Sequence, residues 1–196
     1  MRPRADEAVD GPVAWGAAGP GREAGSAHEP RTRSDEANPG RYLQLRRASA
    51  PDLALLERLH QLYRHDLSQF SRQDVRPDGI YAGADIPQYL GTSQQQAYLF
   101  TVDGQLAGFA LANLASHCHG EEVVRNLDDF FVLRKWRRRG VGTQAAAALF
   151  ALHPGLWQVN KRTYNQPAVN FWGRVVPLVA TAGATEHSVG NIHIHV

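Results

Sequence analysis

The segment from Phe130 to Thr143 constrains this chain more than any other. Phe130-Phe131-Val132-Leu133 reads as a strand, and five basic residues then surround Trp136 between Arg134 and Arg139. Gly140-Val141-Gly142 follows and leads straight into an apolar helical stretch that ends at Leu152. The first N–H groups of a helix have no intrahelical partner, and the dipole is positive at that end. Glycines let the backbone approach an anion closely, and arginines add attraction. The segment is built to hold phosphate.

Charge along the chain agrees. The net charge is only +2, yet Phe130 to Thr185 carries eight basic residues and no carboxylate. A half-chain of that kind faces something anionic, either nucleic acid or a phosphorylated cofactor. The length, 196 residues, suits one domain. The longest apolar run, Ala145–Leu152, stops at eight residues, well short of the roughly 18 a membrane span needs. The N-terminus is rich in Arg, Pro and Ala and lacks the apolar core of a secretory signal. A single cysteine, Cys118, excludes an internal disulfide framework and a thiolate zinc cluster. A cytoplasmic protein with no membrane association is expected.

Residues 1–40 offer only Val9, Val13 and Trp15 as large apolar side chains, too few to offset the entropy of ordering them. They are expected to be a disordered tail, or an over-extended start to the reading frame, with the folded domain at 41–196. Within that domain Tyr42–Leu45 alternates as a strand, and Ser49-Ala50-Pro51-Asp52 starts a helix. Leu55, Leu56, Leu59, Leu62 and Tyr63 keep its period to about Phe70. Residues 71–95 read as loop, with a short helix near Ile86–Leu90. Ala97–Val102 and Leu106–Leu114 flank Asp103-Gly104 as a hairpin. A polar loop over 115–126, a strand at Asp129–Leu133 and the Gly142–Leu152 helix come next. A strand at Leu156–Val159, a helix at Pro167–Val175 and a closing strand at Ile192–Val196 complete the pattern, with one more strand expected near Leu178–Thr181. This is an α/β architecture with an antiparallel meander followed by a β-α-β crossover.

Three phosphate-binding families use a strand–glycine–helix junction. The P-loop pattern GxxxxGK with Ser or Thr is absent. The dinucleotide pattern GxGxxG/A is met by Gly140 to Ala145, but no acidic residue follows before Glu186 to hold a ribose. Arg137-Arg138-Arg139-Gly140-Val141-Gly142 resembles the Q/R-x-x-G-x-G/A motif of the GNAT family of acyl-CoA N-acyltransferases. Asn165-Gln166-Pro167-Ala168-Val169-Asn170-Phe171-Trp172 resembles the family's N-x-x-A-x-x-F-Y segment, at the family's spacing. The likeness covers roughly 41–196 and is strongest over Leu127–Val175.

The resemblance implies a mixed, mostly antiparallel sheet with splayed central strands flanked by helices, and acetyl-CoA as acyl donor. It implies that main-chain amides of Arg138–Thr143, including Gly140, Val141 and Gly142, hold the pyrophosphate. Phe131 and Val132 would bond the pantetheine like an added strand. Arg137 belongs to the same motif, Asn165 would sit near the cofactor, and Arg138, Arg139 or Lys135 would meet the 3′-phosphate. The amine would attack the thioester directly in a ternary complex, which needs a base for the ammonium proton. Asp128 and Asp129 enter the fourth strand where the family often places a carboxylate. Alternation sends them to opposite faces, and Asp129 is the candidate base. Trp172 stands at the family's usual Tyr, and an indole N–H cannot deliver a proton. Water or another side chain, Tyr164 being one candidate, would then protonate the leaving thiolate, or the step would run unaided.

Tyr63, His65 and Asp66 close the first helix, where family members shape the acceptor pocket, and Tyr81 lies in the following loop. His117-Cys118-His119 and His193-Ile194-His195 lack a third or fourth ligand, so no metal is expected. The arginine run also suits nucleic acid, but it is confined to one loop that phosphate binding already explains. Gly183–Val196 is short and apolar enough to pair with a partner's edge, a route to a homodimer. The sequence thus points to an acetyltransferase acting on a primary amine of a small molecule or protein. The alternatives are an acyl-CoA-binding sensor with weak catalysis, or, with less support, a nucleic-acid binder.

Overall fold

The first helix begins where its capping residues require. Ser49 N–H donates to Asp52 Oδ2 at 2.9 Å, and the same carboxylate receives both terminal nitrogens of Arg46 at 2.7 and 2.8 Å. A single 3-10 turn, Ala50–Asp52, leads into α1 (Leu53–Ser71), which buries Leu56, Leu59 and His60. The computed structural model describes residues 42–114, 124–181, 183–186 and 191–195, with the backbone alone at 185–186 and 191–195. The expected tail at 1–40 and the His117-Cys118-His119 cluster lie outside the described residues.

After α1 come the short α2 (Gln88–Gly91) and the hairpin β2 (Gln95–Val102) and β3 (Gln105–Leu114), turning at Asp103-Gly104. β4 (Arg125–Val132) runs into the basic loop and α3 (Val141–Leu152). β5 (Leu156–Asn160), α4 (Gln166–Val179), β6 (Ala184–Glu186) and β7 (Asn191–His195) follow. With β1 (Leu43–Arg47), the described strands form one sheet in the order β1-β2-β3-β4-β5-β7-β6. Only β4 and β5 pair in parallel, as the β-α-β crossover demands. No described helix is long and apolar enough to cross a membrane.

The two faces of the sheet carry separate cores. Tyr98, Phe100, Ala110, Leu127 and Trp157 pack with Leu149 and Phe150 of α3 and with Trp172 and Val175 of α4. Leu99, Phe109, Leu111 and Phe131 pack with Leu56 and Leu59 of α1 and Tyr89 of α2. Strand alternation sorts these residues, Phe109 and Leu111 to one face and Ala110 and Ala112 to the other.

Two expectations are corrected. α4 does not stop at Val175 but continues to Val179 with Pro177 inside it, so no strand forms at Leu178–Thr181. Trp172, Val175, Val176 and Val179 keep a helical stripe on the core, and that burial outweighs the lost Pro177 donor. The additional strand is Ala184–Glu186. Second, β4 starts at Arg125 rather than Asp129, because Asn126 and Leu127 pair with both neighbouring strands. Among the described strands β7 is paired on both sides and β6 lies at the edge of the sheet.

Candidate functional site

β4 and β5 pair only over Arg125–Leu127 and Trp157–Val159. β5 ends at Asn160 while β4 runs on to Val132, so from Asp128 onward β4 has no β5 partner among the described residues. The central strands splay, as the resemblance implied. A cavity of about 410 Å³ occupies the opening. Its walls include Tyr63 and Arg64 from α1, Asp128 to Phe130 from β4, and Asn165, Ala168 and Trp172 from α4.

A β-bulge lies at the bottom of this opening. Leu111 pairs with Asp129 and Ala112 with Leu127, which leaves Asp128 as the extra residue. Leu127 and Phe130 consequently join the same core, although simple alternation would separate them. The expectation that Asp128 and Asp129 face opposite sides is corrected by this bulge, since both carboxylates reach residues of the α1–α2 side. Asp128 Oδ2 accepts from Tyr89 Oη at 2.7 Å and from Asn113 Nδ2 at 2.6 Å, and Oδ1 accepts from Asn126 Nδ2. Asn160 Nδ2 donates in turn to Asn126 Oδ1 at 2.8 Å, tying β5 to the bulge. Asp129 Oδ2 lies 3.3 Å from His60 Nε2, a pair 14% and 2% exposed. Burial, then the charge of Asp129, pushes the Tyr63 hydroxyl well above the ordinary tyrosine range. Burial and the bond to Asp128 do the same for Tyr89. Tyr89 donates its hydroxyl proton to Asp128.

The basic loop divides its cations by job. Arg134 Nη2 and Arg137 Nη2 each lie 2.5 Å from a different oxygen of Asp66, at the end of α1. Burial alone would raise the Asp66 pKa, but the hydrogen bonds from the two arginines win and hold it below the usual carboxylate range. Arg137 Nε also donates to Val132 O at 2.7 Å, and its guanidinium lies over the Phe131 ring. Lys135 donates to Gln105 Oε1 at 2.6 Å, and buried Trp136 donates to Leu106 O at 2.9 Å. Arg138 and Arg139 are exposed and carry no side-chain hydrogen bond or ion pair among the described residues.

The loop backbone is shaped to present its amides. Arg138 and Gly140 both adopt the left-handed conformation, at φ 61 and 79, and Gly140 caps α3. At Gly142 a Cβ would lie 3.0 Å from Phe171 and 3.5 Å from Val132 Cγ2, so glycine lets α3 seat against α4 and β4. Val141 is buried and Thr143 half-buried in the first turn. Among the described residues, this helix N-terminus has Arg138 and Arg139 unpaired beside it, an arrangement able to hold an anion.

The sequence matches the acetyltransferase (GNAT) family over residues 56–175. The chain belongs to that family. Its fold is shared by solved structures at low identity. A mutant protein from Bacillus halodurans is 13% identical, with 74% of this chain and 98% of that chain covered and a TM-score of 0.54. An aminoglycoside acetyltransferase from an uncultured soil metagenomic sample, in complex with sisomicin, is 15% identical over 74% and 94%, with a TM-score of 0.50. The aminoglycoside N-acetyltransferase AAC(6')-Iy in complex with CoA is 20% identical over 69% and 88%, again at 0.50. No curated protein matches the sequence.

The expected site residues are placed unevenly in this GNAT domain. Tyr63, Asp129 and Asn165 share the cavity, and Asn165 also caps α4 by accepting from Ala168 N at 3.2 Å. Asp66 is absent from the cavity wall, being committed to the arginine clamp. Tyr81 lines a neighbouring cavity of about 560 Å³ between α1 and the 76–87 loop. Among the described residues no group of three His, Cys, Asp or Glu could hold a metal. Sequence reasoning missed His60, Arg64, Tyr89 and the asparagines around Asp128. His60 had a signal, since it stands on the apolar face of α1 beside Leu56, Leu59 and Tyr63. The asparagines had none, because only the bulge and the splay bring them together.

Proposed function

We propose that this GNAT protein is an N-acetyltransferase that moves the acetyl group of acetyl-CoA to a primary amine. The observation that carries the reading is the course of β4, which runs from the carboxylates on the cavity wall, past the end of its β5 pairing, to the glycine loop that starts α3. In this reading that helix terminus binds the phosphates.

In this reading the amides of Arg138–Thr143 bind the pyrophosphate, and Arg138 and Arg139 meet the remaining phosphate. The edge of β4 from Phe131 aligns the pantetheine, though Val132 O already accepts from Arg137. Acetyl-CoA supplies an acyl group on a good leaving thiolate. Asp129, 3.3 Å from His60 Nε2, takes the proton from the acceptor ammonium. Asp128 is the poorer base because three donors already occupy it. The amine nitrogen then bonds the acetyl carbon, the carbon–sulfur bond breaks, the nitrogen sheds its second proton to water, and the thiolate takes a proton from water or from Tyr164, which lines the cavity half-exposed.

Trp172 favours a second reading. It stands at the family's usual Tyr and is 4% exposed, packed against Phe130, Phe150 and Phe171. It is a core residue, so the chain could bind acyl-CoA as a sensor with little turnover. Release of free CoA thiol on adding an amine panel supports the enzyme, and binding without release supports the sensor. The arginine loop gives nucleic acid little to hold, since Asp66 occupies Arg134 and Arg137 and Gln105 occupies Lys135. With one cysteine and no described membrane-crossing helix, a cytoplasmic location is part of the same reading.

A further inference from the structure

The charged side chains on the cavity wall are two carboxylates and two guanidiniums: Asp128 and Asp129 from β4, Arg64 from α1, and Arg162 just beyond β5. Their sum is zero, but their availability differs. Asp128 is saturated by Tyr89, Asn113 and Asn126. An entering ammonium therefore meets Asp129, beside His60 Nε2 at 3.3 Å, as the less occupied carboxylate. The two arginines are the reverse case. Arg64 donates through Nη2 to Gln73 Oε1, while its Nε is buried and has no partner. Among the described residues neither Arg64 nor Arg162 pairs with a carboxylate, whereas Arg134 and Arg137 are both held by Asp66.

A buried guanidinium N–H without an acceptor is uncommon in folded proteins, because its desolvation goes uncompensated. A ligand oxygen is the natural way to satisfy it. Carboxylates and phosphates match the guanidinium fork in both charge and shape. A polycationic amine would instead meet two uncompensated arginines with Asp129 as the less occupied carboxylate to offset them. The cavity is also small, about 410 Å³ in all, and the acetyl end of the donor must share it.

We propose that the acceptor is a small primary amine that also carries an anionic group, a carboxylate or a phosphate. Its ammonium faces Asp129 and its anion faces Arg64 and Arg162. This inference rests on the acetyltransferase reading and narrows it to a substrate class. It makes Arg64 the specificity residue and leaves the chemistry at Asp129 unchanged.

The test is release of CoA thiol by the full chain with acetyl-CoA and matched acceptors. Glycine and β-alanine represent amino carboxylates, with glycinamide and β-alaninamide as their neutral counterparts. O-phosphoethanolamine represents amino phosphates, with ethanolamine as its counterpart, and an aminoglycoside represents polycations. At least one anionic acceptor is expected to exceed its neutral counterpart in kcat/KM by about tenfold or more, the scale of one charge-assisted hydrogen bond. The carboxylate and phosphate arms show which anion is preferred. Arg64→Gln should remove that ratio chiefly through KM, and Arg64→Lys should restore part of it. Thermal melting and acetyl-CoA affinity show that each variant is folded, and Arg162→Gln provides a second route should Arg64→Gln not fold. Neutral amines used as well as anionic ones, the aminoglycoside used best, or a ratio that survives in both Arg64→Gln and Arg162→Gln would overturn the proposal. So would acetyl-CoA binding with no acceptor in any arm turned over, which leaves the donor site standing. Failure to bind acetyl-CoA would instead overturn the reading beneath it.

Discussion

His60 Nε2 lies 3.3 Å from Asp129 Oδ2, and this contact joins the middle of α1 to the floor of the cavity. The ring is 2% exposed and packs near Tyr63 and Phe109, with Gly83 closing over its far side. A Cβ at Gly83 would fall 2.1 Å from His60 Cε1. Gly83→Ala must therefore move the imidazole. We expect a loss of about 1–3 kcal/mol in stability from overpacking, a lower kcat, and unchanged acetyl-CoA affinity. Thermal melts and steady-state kinetics on the same preparation check all three.

The two adjacent aspartates should separate cleanly. Asp129→Asn removes the proposed base and is expected to lower kcat by about 10²–10⁴, with little change in melting temperature. Asp128→Asn should instead cost about 1–3 kcal/mol of stability, because its new amide group faces the amides of Asn113 and Asn126 as well as Tyr89. If Asp128→Asn were the variant that lost catalysis at full stability, the base would be reassigned to Asp128.

Asp66 ties α1 to the basic loop and sets an acid limit. Its pKa is held below the unfolded value of about 3.9 by Arg134 and Arg137. A lowered carboxylate pKa contributes stability above the unfolded value and loses it as pH falls through the folded one. Stability should therefore fall below about pH 4, and Asp66→Asn should flatten that dependence. At neutral pH the variant should lose about 1 kcal/mol. It should also bind acetyl-CoA more weakly, since Arg137 no longer fixes the loop. Denaturant melts across pH 3–7 (roughly the span over which carboxylates titrate) read the first effect, and calorimetry the second.

Gly140 holds φ at 79, where a side chain is strained. Gly140→Ala is expected to cost about 1–2 kcal/mol and to weaken acetyl-CoA binding by rotating the loop amides. Stability and affinity should fall together; a variant that keeps full affinity would remove those amides from the phosphate site.

The helix starts at the arginine–glycine loop and at Asn165 were legible because glycine and a capping side chain at a helix terminus act through local sequence. Nearly all strands and helices were legible for the same reason, as the Asp103-Gly104 hairpin shows. What escaped depends on contacts distant in sequence. The helix expected to end at Val175 runs on to Val179 because Val176 and Val179 pack on the core. The bulge that turns Asp128 toward Tyr89 leaves no mark in Asn126-Leu127-Asp128-Asp129. Asp66 reads as a pocket residue until Arg134 and Arg137 are seen to close on it across 68 and 71 residues.

The account stands on the donor site, and calorimetric titration of the full chain with acetyl-CoA tests it most directly. An Arg138→Glu/Gly140→Asp double variant run in parallel places two carboxylates where the phosphates should lie. Saturable binding, of about micromolar affinity, to the native sequence and none to the folded variant is the predicted result. A folded native protein that takes up no acetyl-CoA, or a variant that binds it equally well, would contradict the account.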